Sequence, residues 1–240
     1  MNQSLEDPRT PNLLIILDIL ACISVVGALV WVLFFTPREA IMGDVQKIFY
    51  FHVSAAWVGM LGFLVAFISG LFELRTRKRV WDVSGASSVE IGMVFIVLAI
   101  IAGSIWARPV WNTWWTWEPR LTTAFVMVLI YAAYFILRGS LEEPESRARI
   151  SAIYAIVGFV SVPFTFVSIR LFRSLHPVLF GEGTGGLAFV MDARMVIAFV
   201  LALIAFSLLF AALFWHRLRL GLRQLPEVAE RPSEEGEERA

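Results

Sequence analysis

Val53–Phe72 reads VSAAWVGMLGFLVAFISGLF, twenty residues without Asp, Glu, Lys or Arg. A helix needs about 20 apolar residues to cross the hydrocarbon core of a bilayer. Inside lipid no water reaches the backbone, so every N–H and C=O must be paired within the segment, and the run must be helical. Five more runs of this kind lie at Ile19–Pro37, Ile91–Ala107, Leu121–Leu137, Ile150–Ile169 and Met195–His216. The shortest have 17 residues, and flanking residues complete their spans by snorkelling to the interface. Asp18, just ahead of the first run, is expected at the interface. Of the 240 residues, 58% are hydrophobic and 17% charged, with a mean hydropathy of +0.74. Soluble domains are about 45–50% apolar and about 25% charged. A soluble globular enzyme, a secreted disulfide scaffold and a disordered chain are all excluded. Cys22 is the one cysteine and has no internal disulfide partner. Twenty basic residues balance twenty acidic ones, so no basic excess points to nucleic acid. The expected fold is an all-α polytopic membrane protein with six transmembrane helices.

Loop charge predicts the orientation. Arg75, Arg77, Lys78 and Arg79 follow the second run, Arg138, Arg147 and Arg149 the fourth, and Arg217, Arg219 and Arg223 the sixth. These clusters hug helix ends, and the positive-inside rule puts them, and both termini, in the cytoplasm. Met1–Asn12 carries Glu6, Asp7 and Pro8 rather than a basic patch, so the first helix reads as a retained anchor, not a cleaved signal. Residues 1–220 form the expected membrane domain, and 221–240 a disordered, charged cytoplasmic tail.

Crossing parity then sorts the polar residues without reference to orientation. The loops after the first, third and fifth spans share one face, so His52 and His176 lie together, and His216 lies opposite as a cytoplasmic interface residue. The same face carries Trp106-Ala107-Arg108-Pro109-Val110-Trp111-Asn112-Thr113-Trp114-Trp115-Thr116-Trp117-Glu118-Pro119-Arg120, which holds five of the nine Trp. An interfacial aromatic belt takes one or two Trp per helix end, as Trp31 and Trp57 would. Five in one loop exceed it. Trp111, Trp114 and Trp115 are spaced i, i+3, i+4, which predicts a short helix with the three on one side, bracketed by Pro109 and Pro119 and lying flat as an external shelf. Neutral imidazoles are good axial ligands for heme iron, and indole faces suit a flat apolar porphyrin. Arg108, Arg120, Arg170, Arg173, Lys47, Asn112 and Thr113 are on the same face and could meet its anionic propionates. Glu118 either orders the shelf or a neighbouring Arg, or serves as the N-terminal carboxylate of the fourth span.

From Trp111 to Thr122 the sequence resembles the tryptophan-rich "WWD" signature, W-G-T-W-W-x-W-D-x-R-L-T, of heme-handling membrane proteins. With six spans, one His ahead of the second (Phe51-His52-Val53) and one between the fifth and sixth (Ser174-Leu175-His176), residues 10–220 resemble the heme exporter protein C (CcmC) family of cytochrome c maturation. The larger WWD relatives carry extra spans and histidines. Four positions depart from the pattern: Asn112 replaces Gly, Glu118 replaces Asp, Pro119 replaces a small residue, and Ser54 replaces a common Pro.

The resemblance implies a heme-binding inner-membrane subunit, not an enzyme. Heme b (iron protoporphyrin IX) would be bound transiently at the periplasmic face, with His52 and His176 as axial ligands. Trp111, Trp114, Trp115, Trp117, Glu118, Arg120 and Arg108 would form the rest of the site, an exposed clamp in the loops. Heme would pass to the chaperone CcmE, with CcmD, CcmB and the ATPase CcmA as further partners in an ABC-type complex. The chain itself has no G-x-x-x-x-G-K-[ST] segment for ATP, and Gly181–Gly186 reads as a flexible connector. The alternative is a substrate-translocating or scaffolding subunit without its own heme site. Ala55/Gly59, Ala66/Gly70 and Ala99/Gly103 permit close helix packing, Pro163 is expected to kink the fifth span, and Glu73 and Glu90 are read as helix-end residues without a functional role.

Overall fold

A computed structural model describes residues 10–172, 174–176 and 191–224. Arg173, the Gly181–Gly186 connector and the tail beyond Gln224 lie outside the described residues. Among these residues seven α-helices follow one another: α1 (Asn12–Val30), α2 (Lys47–Thr76), α3 (Arg79–Trp111), α4 (Pro119–Ser140), α5 (Pro144–Gly158), α6 (Ser161–Leu171) and α7 (Ala193–Arg223). A π-turn at Trp31–Phe35 prolongs α1, and a 3-10 turn at Asp44–Gln46 leads into α2. Among the described residues, six spans long and apolar enough to cross a membrane result, because α5 and α6 together make the fifth. The chain is a multi-pass membrane protein. Its α7 continues to Arg223, past the boundary expected at residue 220.

The local sequence accounts for the helix ends. Pro119 and Pro144 each stand at the first helical position, where a missing N–H costs nothing. The preceding Glu118 and Glu143 accept hydrogen bonds from the free backbone N–H groups of the first turn. At Glu143, which stands outside the spans, the N–H groups of Ser146 and Glu145 hold the carboxyl below the usual carboxylate range. In the fifth span the break falls at Phe159–Val160, just ahead of Pro163. A proline clashes with the carbonyl four residues earlier, here that of Phe159. The helix breaks where the kink is expected, although Phe159 and Val160 keep right-handed helical dihedrals. Pro109 behaves differently, since α3 runs through it to Trp111.

Lipid offers no hydrophobic drive for helix association, so close packing must hold the bundle together. The α2–α3 hairpin provides it. A Cβ built on Gly62 would lie 2.8 Å from Gly92 Cα and 2.8 Å from the Ser88 carbonyl oxygen. Gly59 faces Ile96 almost as closely, at 3.0 Å. Ser69 and Ser84 hydroxyls join the two helices farther along, 2.9 Å apart. Three buried clusters surround this pair, and α2 contributes to each. Phe63 stacks flat on Tyr131 of α4 at 3.6 Å, Phe49 and Tyr50 pack with Met195 and Ala198 of α7, and Val58 packs with Phe95 and Phe210. Of the small-residue pairs noted in the sequence, Gly59 serves α2–α3 contact, Gly70 meets Ala152 of α5, and Gly103 has another task described below. Ile15, Ile16, Ile19 and Ile23 of α1 turn outward, as lipid-facing side chains should.

Polar pairs tie helices together at the end of the bundle opposite the Trp loop. Arg138 makes a two-pronged bond to Asp82 at 2.5 and 2.9 Å. Arg217 pairs with Glu90 at 2.6 Å, and His216 Nε2 lies 2.9 Å from Asp18. Glu90 thus joins α3 to α7 rather than merely ending a helix, and Glu73 is buried. The reach of α3 explains their tolerance, since 33 residues at about 1.5 Å each extend well beyond a hydrocarbon core of about 30 Å.

Adding one methyl at the hairpin contact tests this account. Gly62→Ala is expected to cost about 1–3 kcal/mol by overpacking, read as a lower unfolding temperature in detergent. Gly27→Ala, where a Cβ would meet nothing within 4 Å, should leave that temperature unchanged or raise it.

Candidate functional site

His52 sits in the second turn of α2, where it faces α3. Its Nδ1 lies 2.8 Å from the Ala99 carbonyl oxygen. A carbonyl only accepts, so Nδ1 carries the proton and Nε2 keeps its lone pair. This is the arrangement by which a backbone carbonyl orients a metal-binding imidazole. Gly103, one turn beyond Ala99, makes room for the ring. A Cβ there would stand 2.8 Å from His52 Cε1 and 3.0 Å from Nδ1. The small residues Ala99 and Gly103 thus house a side chain instead of a second helix.

His176 comes from the other end of the chain and meets His52 at a ring-centroid distance of 6.3 Å, the planes inclined at 37°. Trp111 lies edge-on to His176 at 6.4 Å and is itself backed by buried Trp106 at 5.3 Å. Between the rings and the surrounding helices is a partly open cavity of about 90 Å³. His52, His176, Trp111, Trp114, Trp115 and Arg120 all line it. It also reaches Met60 and Met127. Met60 is eight residues below His52, about 12 Å at the helical rise. The cavity therefore enters the membrane-spanning segments, whereas the sequence suggested a clamp confined to the loops. It lies between the α2–α3 hairpin on one side and α4 and α6 on the other.

The Trp segment is not the short flat helix expected from its spacing. Trp111 is the last residue of α3, and 112–118 is an irregular loop. Asn112 stops the helix with a left-handed φ of 56°, a conformation that favours Gly and, next, Asn. The departure from Gly at this position is therefore conformationally conservative. Arg108 is not in the cavity wall; its Nη1 donates to both the carbonyl and the side-chain oxygen of Asn112, at 2.7 Å each. Trp117 is also outside the wall, 70% exposed, with its ring edge-on to Trp115 and Phe125. Trp114, at 58% exposed, forms the rim.

Arg120 lines the cavity with its guanidinium 5.6 Å from the centre of the Phe166 ring on α6. Lys47 is engaged elsewhere, by the Leu33 carbonyl and Asp44, and Arg170, Asn112 and Thr113 do not line the cavity. Glu118 is buried behind the wall rather than in it. One of its oxygens accepts from Leu121 N–H at 3.3 Å, and the other accepts from the Ser174 hydroxyl. Glu118 therefore caps the fourth span, and its second hydrogen-bond partner is Ser174, where the other expectation was the Trp shelf or a neighbouring Arg. Sequence reading passed over Met60, Met127 and Phe166, and named Gly103 only as a helix-packing residue and Ser174 only as a neighbour of His176, since these residue types carry no site signal until the helices are packed.

Among the described residues no three His, Cys, Asp or Glu side chains converge as a metal site, so the chain offers two imidazoles and an apolar, aromatic wall. Residues 7–231 match the family of heme exporter protein C. The chain belongs to that family. It is 31% identical to heme exporter protein C of Rhodobacter capsulatus over 208 residues, 84% of this chain and 83% of the relative. Heme exporter protein C of Escherichia coli is 27% identical over 190 residues, 79% and 76% of the two chains. A putative cytochrome c biosynthesis ccmC-like mitochondrial protein of Marchantia polymorpha is 28% identical over 147 residues, 61% and 60%. The heme exporter C family assignment thus spans the elements that bring the histidines together.

If Gly103 exists to admit His52, Gly103→Ala must displace the ring and break its bond to Ala99. Faster carbethoxylation of His52 by diethyl pyrocarbonate, followed by mass spectrometry, is the expected result. An unchanged rate would show that the ring tolerates a Cβ there.

Proposed function

We propose that this chain is the heme-handling membrane subunit of a cytochrome c maturation system. It holds heme b transiently between His52 and His176, on the periplasmic side of the inner membrane. The observation that carries this reading is the 6.3 Å separation of the two imidazole centres. With a metal–nitrogen bond of about 2 Å, each ring centre lies roughly 3 Å from the metal, so two imidazoles on opposite sides of one iron stand about 6 Å apart. The porphyrin supplies the iron's remaining ligands, which is why two protein side chains suffice.

The other residues have distinct tasks in this reading. Trp111 and Trp115 give the porphyrin an apolar wall, and Trp114 lines the mouth. Arg120 is the cation within the cavity and is assigned to a propionate. Arg108, Trp117 and Glu118 support the loop from outside the wall. The apolar depth down to Met60 and Met127 accommodates a ring edge, while the open mouth leaves another edge for transfer. Heme is handed to CcmE, and CcmD, CcmB and CcmA complete the ABC-type assembly. ATP hydrolysis is assigned to CcmA, because this sequence carries no P-loop. The membrane domain is residues 1–220 with its helical continuation to Arg223, and both termini face the cytoplasm.

Two measurements test the proposal. Purified protein loaded with heme should give a six-coordinate low-spin absorbance spectrum, and His52→Ala and His176→Ala should each lose it. Unchanged spectra in both variants would remove the axial-ligand assignment, and absence of stoichiometric heme uptake by the intact protein would favour a scaffolding or translocating subunit. For orientation, Cys22→Ser provides a cysteine-free background. Thr113→Cys should react with an impermeant maleimide added outside intact cells, and Glu145→Cys only after lysis. The reverse pattern would invert the topology.

A further inference from the structure

His52 is fixed by a helix, but His176 lies five residues beyond the end of α6, in a connection that reaches α7 only at Ala193. Something must hold it at the cavity. The His176 backbone N–H donates to Ser174 Oγ at 3.1 Å, and the Ser174 hydroxyl donates to the Glu118 carboxylate. Glu118 is anchored in turn at the start of α4, through Leu121 N–H. It is only 9% exposed. A hydroxyl donating to a buried carboxylate makes a charge-assisted bond, roughly twice as strong as a neutral one.

We propose that the Ser174 hydroxyl, bridging the Glu118 carboxylate and the His176 backbone, is the latch that positions His176 opposite His52. Ser174 and Glu118 are positioning residues, neither of which lines the cavity. The residue type at 118 fits this role. Helix capping alone favours Asp, Asn, Ser or Thr over Glu. The longer side chain lets one oxygen cap α4 while the other reaches a segment 56 residues away. The Trp loop and the second histidine are thereby one mechanical unit, since the residue that closes the loop also carries the latch. Where this inference concerns heme, it rests on the proposed ligation by His52 and His176; the backbone bond itself does not.

The first readout is independent of heme. In heme-free full-length protein, Ser174→Ala should accelerate hydrogen exchange at the His176 amide, while Ser174→Thr, which keeps the hydroxyl, should restore protection. The second uses loaded protein. Ser174→Ala should weaken heme affinity by roughly 10–100-fold, the usual cost of losing a group that orients a metal ligand, and shift the spectrum toward a five-coordinate form that added imidazole reverses. Glu118→Ala combined with Ser174→Ala should bind no more weakly than Glu118→Ala alone. Unaltered His176 exchange in Ser174→Ala, or strictly additive losses in the double variant, would overturn the latch. A wild-type protein that takes up no heme, with His176 exchange still dependent on Ser174, would overturn the ligation reading and leave the latch standing.

Discussion

Helices α2 and α3 approach each other so closely that a Cβ on Gly62 or Gly92 would stand under 3.0 Å from the facing backbone, and one on Gly59 at 3.0 Å. The residues on either side of that contact inherit their register from it. In lipid the apolar surfaces of two helices gain little by meeting. Backbone proximity, dispersion and a few buried hydroxyl bonds such as Ser69–Ser84 must hold them instead. Followed toward the Trp loop, the same register sets His52 against the Ala99 carbonyl and the vacant side of Gly103. One pairing therefore fixes both the position and the tautomer of the first histidine. The three buried clusters pack around the hairpin, and α1, which contacts chiefly α7, is an outer, largely lipid-facing element.

The opposite wall is built on different principles. Helix α4 begins at Pro119 with a carboxylate ahead of it, and α6 begins after a break that Pro163 makes necessary. Together they stand away from α3 and leave the cavity between. The Trp loop crosses this gap as irregular chain. Asn112 turns it out of α3, Arg108 clamps that turn, and Glu118 turns it into α4. Its tryptophans consequently do different things: Trp106 is buried support, Trp111 and Trp115 are wall, Trp114 is rim, and Trp117 faces outward.

The ion pairs keep to the two ends of the bundle, as dielectric cost requires, with Asp44 bridging Arg38 and Lys47 at the end that carries the Trp loop. Ionisable pairs far from the site, Asp82–Arg138, Glu90–Arg217 and Asp18–His216, tie α1, α3, α4 and α7 at one end of the bundle. At the other end Arg120 enters the cavity, where an aromatic face softens its desolvation. Such a site can attract an anionic edge of an otherwise apolar ligand without needing a charged partner from the chain.

Much of this was legible in the residues themselves. Six uncharged runs dictated six helices, because unpaired backbone groups are not tolerated in lipid, and the parity of the crossings put His52, His176 and the Trp cluster on one face. The local signals misled where their outcome depended on neighbours. The i, i+3, i+4 spacing of Trp111, Trp114 and Trp115 fits a helical turn, yet Asn112 in the left-handed region ends the helix after the first of them. Pro109 looked like a boundary and lies within α3, whereas the helix does break ahead of Pro163, as expected. Sequence alone thus determined how often the chain crosses the membrane and which residues share a face, since both follow from the transfer of single segments into lipid. Only the tertiary structure decided that the two imidazoles stand 6.3 Å apart, that Gly103 is a recess for one of them, and that Ser174 ties the other to Glu118. Those are distances between segments remote in the chain, and they are set by helix packing that no single segment encodes.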